Sequence, residues 1–169
     1  MKRSKSEMGR SSLLQVGRRV DYAVRAVAYL AARPVGRIVS SAEIERSQDI
    51  PPHFLSKIMR DLVVSGFVES HIGSRGGFSL AQPPATITIK DIYEALEGPL
   101  MVMECIEHGQ VYCWFSPVCS QISVWQRAQN FIASYLNTVS ISDIADQVGL
   151  RKRLTSLKGD ASRENKPGK

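Results

Sequence analysis

Between Phe67 and Leu80 the chain reads Phe-Val-Glu-Ser-His-Ile, then Gly-Ser-Arg-Gly-Gly, then Phe-Ser-Leu. Two short extended apolar segments around a glycine-rich turn predict a β-hairpin, since glycine enters such turns without a Cβ penalty. Upstream of it the apolar spacing is helical. From Arg18 to Arg33, Val20, Ala23, Val24, Val27, Ala28 and Ala31 recur every three or four residues, which predicts an amphipathic helix stopped by Pro34. Ser40-Ser41-Ala42-Glu43 has the spacing of a capping box and opens a short helix to about Ser47. After the connector Gln48-Asp49-Ile50, Pro52 suits the first turn of a third helix and Gly66 its C-terminal cap. That helix is expected to bury Phe54, Leu55, Ile58 and Leu62 and to leave His53, Ser56, Lys57 and Arg60 facing outward.

This order of helix, helix, turn, helix and hairpin is that of a winged helix-turn-helix. Such a motif places its second helix in the major groove of DNA, and a wing carrying Arg reaches phosphate or the minor groove. The bland alternative is a winged domain used for protein contact. Further on, Thr88-Ile89-Lys90-Asp91 predicts a second capping box and a helix through Glu97, closed by Gly98-Pro99. Residues 100–119 read as irregular. A long helix follows from Ser120 to about Thr138, with Ile122, Trp125, Ala128, Ile132, Tyr135 and Leu136 on one side. That stripe is either packed on its own domain or a dimer seam. A body this small buries one face of so long a helix with difficulty, which favours the seam. Ser140-Ile141-Ser142-Asp143 caps a last short helix to Val148, and no internal repeat stands out. The expected fold class is mainly α with a small β-hairpin: a winged helix-turn-helix (16–82), then a sensor loop and dimerisation helix (83–148), between basic, disordered tails (1–15 and 149–169).

The charge distribution agrees with that division. The chain of 169 residues has a net charge of +6, yet residues 1–19 and 151–169 each carry +5, so the body between them is acidic. Basic tails add non-specific attraction to phosphate, although solvated ends are an equal reading of the last segment. No apolar run reaches the roughly 18–20 residues of a membrane span, and the basic start lacks the apolar stretch of a signal peptide. The expected location is the cytoplasm.

All three cysteines, Cys105, Cys113 and Cys119, fall within fifteen residues. An odd count in a cytoplasmic chain argues against a structural disulfide. Thiols in a loop beside Gly109 and Pro117 are poor core fillers, whereas three converging thiolates make a soft-metal site. The spacing C-x7-C-x5-C matches neither the short zinc hairpins nor the ferredoxin runs. With His108 between the first two cysteines, a Cys3His zinc site and an iron–sulfur cluster are equally open, and thiol-only redox sensing stands beside them. An enzyme is not expected: His108 is the sole local base beside a cysteine, and no second catalytic motif accompanies it.

Taken in order, several stretches resemble the Rrf-type family of bacterial iron–sulfur transcription regulators (IscR-, NsrR- and RirA-like). They are Val20–Ala26, Ile50–Phe67, the wing Gly73–Phe78, Ile87–Ile92, and three cysteines ahead of a long helix near Trp125. The resemblance spans about residues 16–146. It implies a homodimeric DNA-binding regulator, read as a repressor, whose DNA affinity is set by a [4Fe-4S] or [2Fe-2S] cluster sensing iron, redox or NO status. Cys105, Cys113 and Cys119 would be its ligands. The position that carries a histidine in IscR-like members is Ile122 here, so the NsrR-like route remains, with Asp21 of the partner subunit as fourth ligand, and His108 or a small thiol as alternatives. For DNA the resemblance implies the start of the third helix (His53, Ser56, Lys57, with Arg60 on phosphate or in packing), the wing (Ser74, Arg75), and Arg18 and Arg19 on the backbone. Many members carry Arg where this chain has Ile72, which implies altered wing recognition.

Overall fold

The computed structural model describes residues 16–145, and at their centre helix α1 (Arg18–Ala31) packs against everything else in the N-terminal half. Val20, Ala23, Ala26, Val27, Ala28, Tyr29 and Leu30 are buried, so its last turns are enclosed nearly all round. The expected stripe is present, with Val24 and Ala31 half-buried; Ala26, Tyr29 and Leu30 join the core beyond it.

Helix α2 (Ser41–Gln48) is capped by Ser40, whose side chain accepts from the Glu43 amide. The expected box closes on this side only. The Glu43 carboxylate turns away to accept from the Tyr29 hydroxyl at 3.0 Å, and the Ser47 hydroxyl donates to Tyr29 in turn at 2.9 Å. The helix ends at Asp49 in the left-handed region (φ 52°), which Asp tolerates better than most residues. Helix α3 (Pro52–Val64) starts at the expected proline, and Gly66 follows its end at φ 75°. It buries Leu55, Ile58, Met59 and Leu62; Met59 replaces Phe54, which is half-buried and meets Tyr22 edge-on.

The hairpin pairs β1 (Val68–His71) with β2 (Gly77–Leu80), antiparallel, from Val68↔Leu80 to His71↔Gly77. Val39 adds a single bridge to its outer edge by exchanging both backbone hydrogen bonds with Phe78. Two glycines are needed sterically. A Cβ on Gly77 would lie 2.3 Å from the Val39 carbonyl oxygen, and one on Gly76 would lie 2.5 Å from that of His71.

Helix α4 (Ile89–Glu97) opens with the full capping box expected at Thr88 and Asp91. Residues 100–119, expected to be irregular, hold a one-turn helix α5 (Glu104–His108) and two 3-10 turns, Gly109–Val111 and Ser116–Val118. These turns are too short to show an apolar period. Helix α6 (Ile122–Thr138) begins two residues later than expected. After it comes a short internal repeat, where none was expected. Thr86-Ile-Thr-Ile-Lys-Asp-Ile92 recurs as Thr138-Val-Ser-Ile-Ser-Asp-Ile144, and the two copies pair antiparallel at Thr88↔Ser140. Ile89 donates to the Val139 carbonyl and Ile141 to that of Ile87. Asp143 caps its own turn through the Ser140 amide and hydroxyl, which holds its carboxyl below the usual value. Helical residues continue through 145. The rest of this helix to Val148, both tails and their expected disorder lie outside the described residues.

One buried cluster spans the position where two units were expected to meet. Ile87, Ile92, Leu96 and Ile141 belong to the same core as Val20, Leu55, Ile58 and Val68. Gly77→Ala is therefore expected to cost about 2 kcal/mol or more, the scale of core overpacking, by urea unfolding. Ser74→Ala at the exposed tip should stay within about 0.5 kcal/mol. Equal stability of the two variants would show that the Val39 bridge does not constrain the wing.

Candidate nucleic-acid interface and cysteine segment

On α3 the side opposite the core carries His53, Ser56, Lys57 and Arg60, all exposed, at spacings of three, four and seven residues from the first. This is one helical stripe. The His53 ring leans on Phe54 at 4.6 Å between centroids, and the Ser56 hydroxyl makes a long contact to the His53 carbonyl (3.4 Å). Arg60 reaches no nearer than 3.9 Å to Asp61, with 78% of its side chain exposed. The wing presents Ser74 and Arg75 at its exposed tip, between Gly73 at φ 129° and Gly76. Beside them Ile72 is fully exposed, an apolar group on an otherwise polar turn. The expected α3 and wing residues thus all lie on the surface, where a duplex would meet them.

Arg18 is exposed at the start of α1, while Arg19, with 39% of its side chain exposed, is engaged by other helices. Its guanidinium donates to Asp61 Oδ2 on α3 at 2.6 Å and to the Leu96 carbonyl at the end of α4 at 2.6 Å. Glu97 lies 3.7 Å away. An arginine fork suits two such acceptors at once. The placement has Arg19 tie three helices together. No local pattern reports this, because the partners lie 42 and 77 residues away.

The three cysteines are free and half-buried. Cys105 is on α5, Cys113 precedes the second 3-10 turn and Cys119 follows it. Backbone bonds from Cys113 to Gly109, Ser116 to Cys113, Cys119 to Ser116 and Ile122 to Cys119 wind this stretch into successive turns. Among the described residues no three His, Cys, Asp or Glu side chains are grouped closely enough to hold a metal ion. The donors therefore fit a soft metal in kind, while a single chain does not gather them in position. Asp21 is exposed and accepts from Arg25 at 3.3 Å, one turn along α1. His108 sits against Tyr112 at 6.0 Å. The Glu104 carboxylate, accepting from the Tyr112 hydroxyl, holds that phenol above its ordinary value.

Helix α6 touches both α4 and α5, and none of its residues is fully buried. Ile122, Gln129, Ile132, Ala133 and Leu136 are half-buried, and Gln129 accepts from the Val102 amide at 2.9 Å. The expected stripe divides: Trp125 and Tyr135 are exposed with Val124 and Phe131, the last at 75%. Val124, Ala128, Phe131 and Tyr135 follow the spacing of an apolar helix–helix seam. Counting in steps of three and four from Val124, not Ile122, finds it in the sequence.

Comparison with known proteins agrees with this geometry. The model of the family described as "Rrf2: Iron-dependent Transcriptional regulator" matches residues 16–147. The chain is 31% identical over 132 residues to Rv1287 of Mycobacterium tuberculosis, named as an HTH-type transcriptional regulator, covering 78% of this chain and 81% of that one. Among solved structures it is similar to CymR, the global cysteine regulator of B. subtilis (TM-score 0.66, 25% identity, 79% of this chain and 98% of that one). It is also similar to IscR of T. potens (TM-score 0.63, 26% identity, 80% and 88%).

Arg19→Ala is expected to lower stability by about 1–2 kcal/mol, the scale of charged hydrogen bonds reduced for partial exposure. Arg19→Lys should recover less than half of this loss, since an ammonium does not fork. Urea unfolding at neutral pH measures both, and an unchanged Arg19→Ala midpoint would remove the clamp from the account.

Proposed function

The chain belongs to the Rrf2 family of DNA-binding transcription regulators, and from that premise we propose that it binds operator DNA as a homodimer under control of Cys105, Cys113 and Cys119. The observation that carries the DNA part is the division of α3 into a buried face and an exposed polar stripe, beside a wing whose tip bears Arg75. His53, Ser56 and Lys57 enter the major groove from the N-terminal half of α3, Arg60 and Arg18 meet phosphate, and Ser74 and Arg75 follow the neighbouring backbone or minor groove. Arg19 supports them from within. The apolar ridge on α6 supplies the dimer seam, and two recognition helices then read half-sites about 34 Å apart. The protein acts as a repressor in the cytoplasm.

For control, the reading is an iron–sulfur cluster, [4Fe-4S] or [2Fe-2S], held by the three cysteines with Asp21 of the partner subunit. When bound, it would supply the bonds that gather thiolates now spread over successive turns. Ordering residues 100–121 then acts on the end of α4 and, through Leu96 and Arg19, on the seat of α3. A second reading has its own observation. The three thiols are free and half-buried, and reversible oxidation needs free thiols that a reagent can reach.

Lys57→Ala and Arg75→Ala are each expected to weaken binding to a duplex selected from a random pool by about tenfold. Each should flatten the dependence of log affinity on log salt by about one, with stability unchanged. An effect from neither would move the interface elsewhere.

Anaerobic purification with an absorption spectrum and iron and sulfide assays tests the control. A brown protein with comparable iron and sulfide, both lost in Cys113→Ala, supports the cluster. A colourless protein after reconstitution with iron and sulfide overturns it. If that protein loses DNA affinity on oxidation, thiol sensing takes its place; if it contains zinc, a structural Cys3His site does.

A further inference from the structure

We propose that the cleft between the end of α1, the turn after it and the segment following β2 binds a small monocarboxylate with an apolar body. The cleft encloses about 340 Å³, at the small end of the size range of ligand pockets. Leu30, Leu80 and Ala81 provide apolar surface, and Pro34 and Pro83 stand at its edge. Arg33 and Arg37 are also among its lining residues, and none of these residues is acidic.

The charge count around these arginines is uneven. Both lean on one oxygen, Glu43 Oε1, at 3.9 Å from Arg33 and 3.4 Å from Arg37. That same oxygen already accepts from the Tyr29 hydroxyl at 3.0 Å. One carboxylate therefore faces two permanent cations, leaving a single positive charge at an apolar cleft. Arg33 is held in place with its guanidinium 4.0 Å over the Tyr29 ring. Its Nε is buried and has no acceptor among the described residues.

The walls are built in advance. The turn from Pro34 to Arg37 is closed by the Arg37 amide donating to the Pro34 carbonyl at 3.0 Å, with Gly36 at φ 78°. On the other wall, Gln82 donates to the Gly66 carbonyl at 2.9 Å. A planar carboxylate matches a guanidinium edge and carries the one negative charge the site lacks. A phosphate dianion would exceed that charge, and the prolines offer it no backbone N–H. Occupancy would join the exit of the wing to the α1–α2 turn.

The test is calorimetric titration of the full-length, metal-free protein without DNA, with benzoate as the probe, benzamide as its neutral isostere and inorganic phosphate as competitor. Saturable benzoate binding is expected, with benzamide at least about tenfold weaker and no competition by phosphate. Arg37→Gln, at a half-exposed position, should weaken benzoate by about tenfold, and Ala81→Phe should abolish binding by filling the cleft. Thermal unfolding confirms that both variants are folded; should Arg37→Gln fail to fold, Ala81→Phe decides. Absence of saturable binding, equal binding of benzamide, displacement by phosphate, or benzoate binding indifferent to the substitutions would each overturn the proposal. Neither DNA nor metal enters the titration, so its outcome is separate from the regulatory reading.

Discussion

The guanidinium of Arg19 is the point on which the arrangement of helices turns. It reaches from the first turn of α1 to a carboxylate on α3 and to a carbonyl at the end of α4, each at 2.6 Å. The carbonyl matters as much as the carboxylate. The last carbonyls of a helix have no partner within it and carry the negative end of its dipole, so a cation there satisfies an acceptor and an electrostatic demand together. Apolar packing of Leu55, Ile58, Met59 and Leu62 would hold α3 against α1, yet packing is tolerant of small rotations. A forked hydrogen bond is directional. It fixes which face of α3 meets solvent, and so where His53, Ser56, Lys57 and Arg60 point.

A second set of directional contacts holds the other end of the core. Two copies of one short motif, at Thr88 and Ser140, each start a helix with the same Ser/Thr and Asp cap and bond to each other through their backbones. Ile87 and Ile141, which this pairing joins by a backbone hydrogen bond, are both buried in the core, and the pairing closes the chain onto the start of α4 after α6. Helix α6 is therefore anchored to the body at its end and through Gln129, while its Val124–Tyr135 ridge remains on the surface. An exposed apolar ridge on an anchored helix presents itself at a fixed orientation, which is what a symmetric dimer contact requires.

What was legible in the sequence follows the range of the interactions concerned. Caps, proline and glycine act within four residues, so Thr88–Asp91, Pro52 and the wing glycines announced their elements correctly. The stripe on α3 came from periodicity, another local property. Glu43 escaped because two demands compete for one carboxylate, and the distant Tyr29 hydroxyl prevails over the helix start. Arg19 escaped for the same reason: beside Arg18 it looked like a phosphate contact, and only the fold brings Asp61 and Leu96 to it. On α6 the periodicity was seen but its phase was not, since both faces are partly apolar and one chain leaves neither fully buried. The cysteines were legible as a cluster in sequence, whereas among the described residues no three potential metal ligands come together in space.

That last point restricts how any signal at the thiols reaches DNA. A bound group shifts an equilibrium only by the difference in its affinity for two conformations, and the present arrangement supplies one in which the thiols are apart. Residues 98–121 join the core through the end of α4 and through the Val102–Gln129 hydrogen bond to α6. On the proposed control, gathering the thiols would pull on one or both. A pull on α4 meets Arg19 at the Leu96 carbonyl and passes to Asp61 on α3; a pull on α6 alters the seam through which a second chain would set the half-site distance. Either route would convert a loop rearrangement into a change of recognition-helix position.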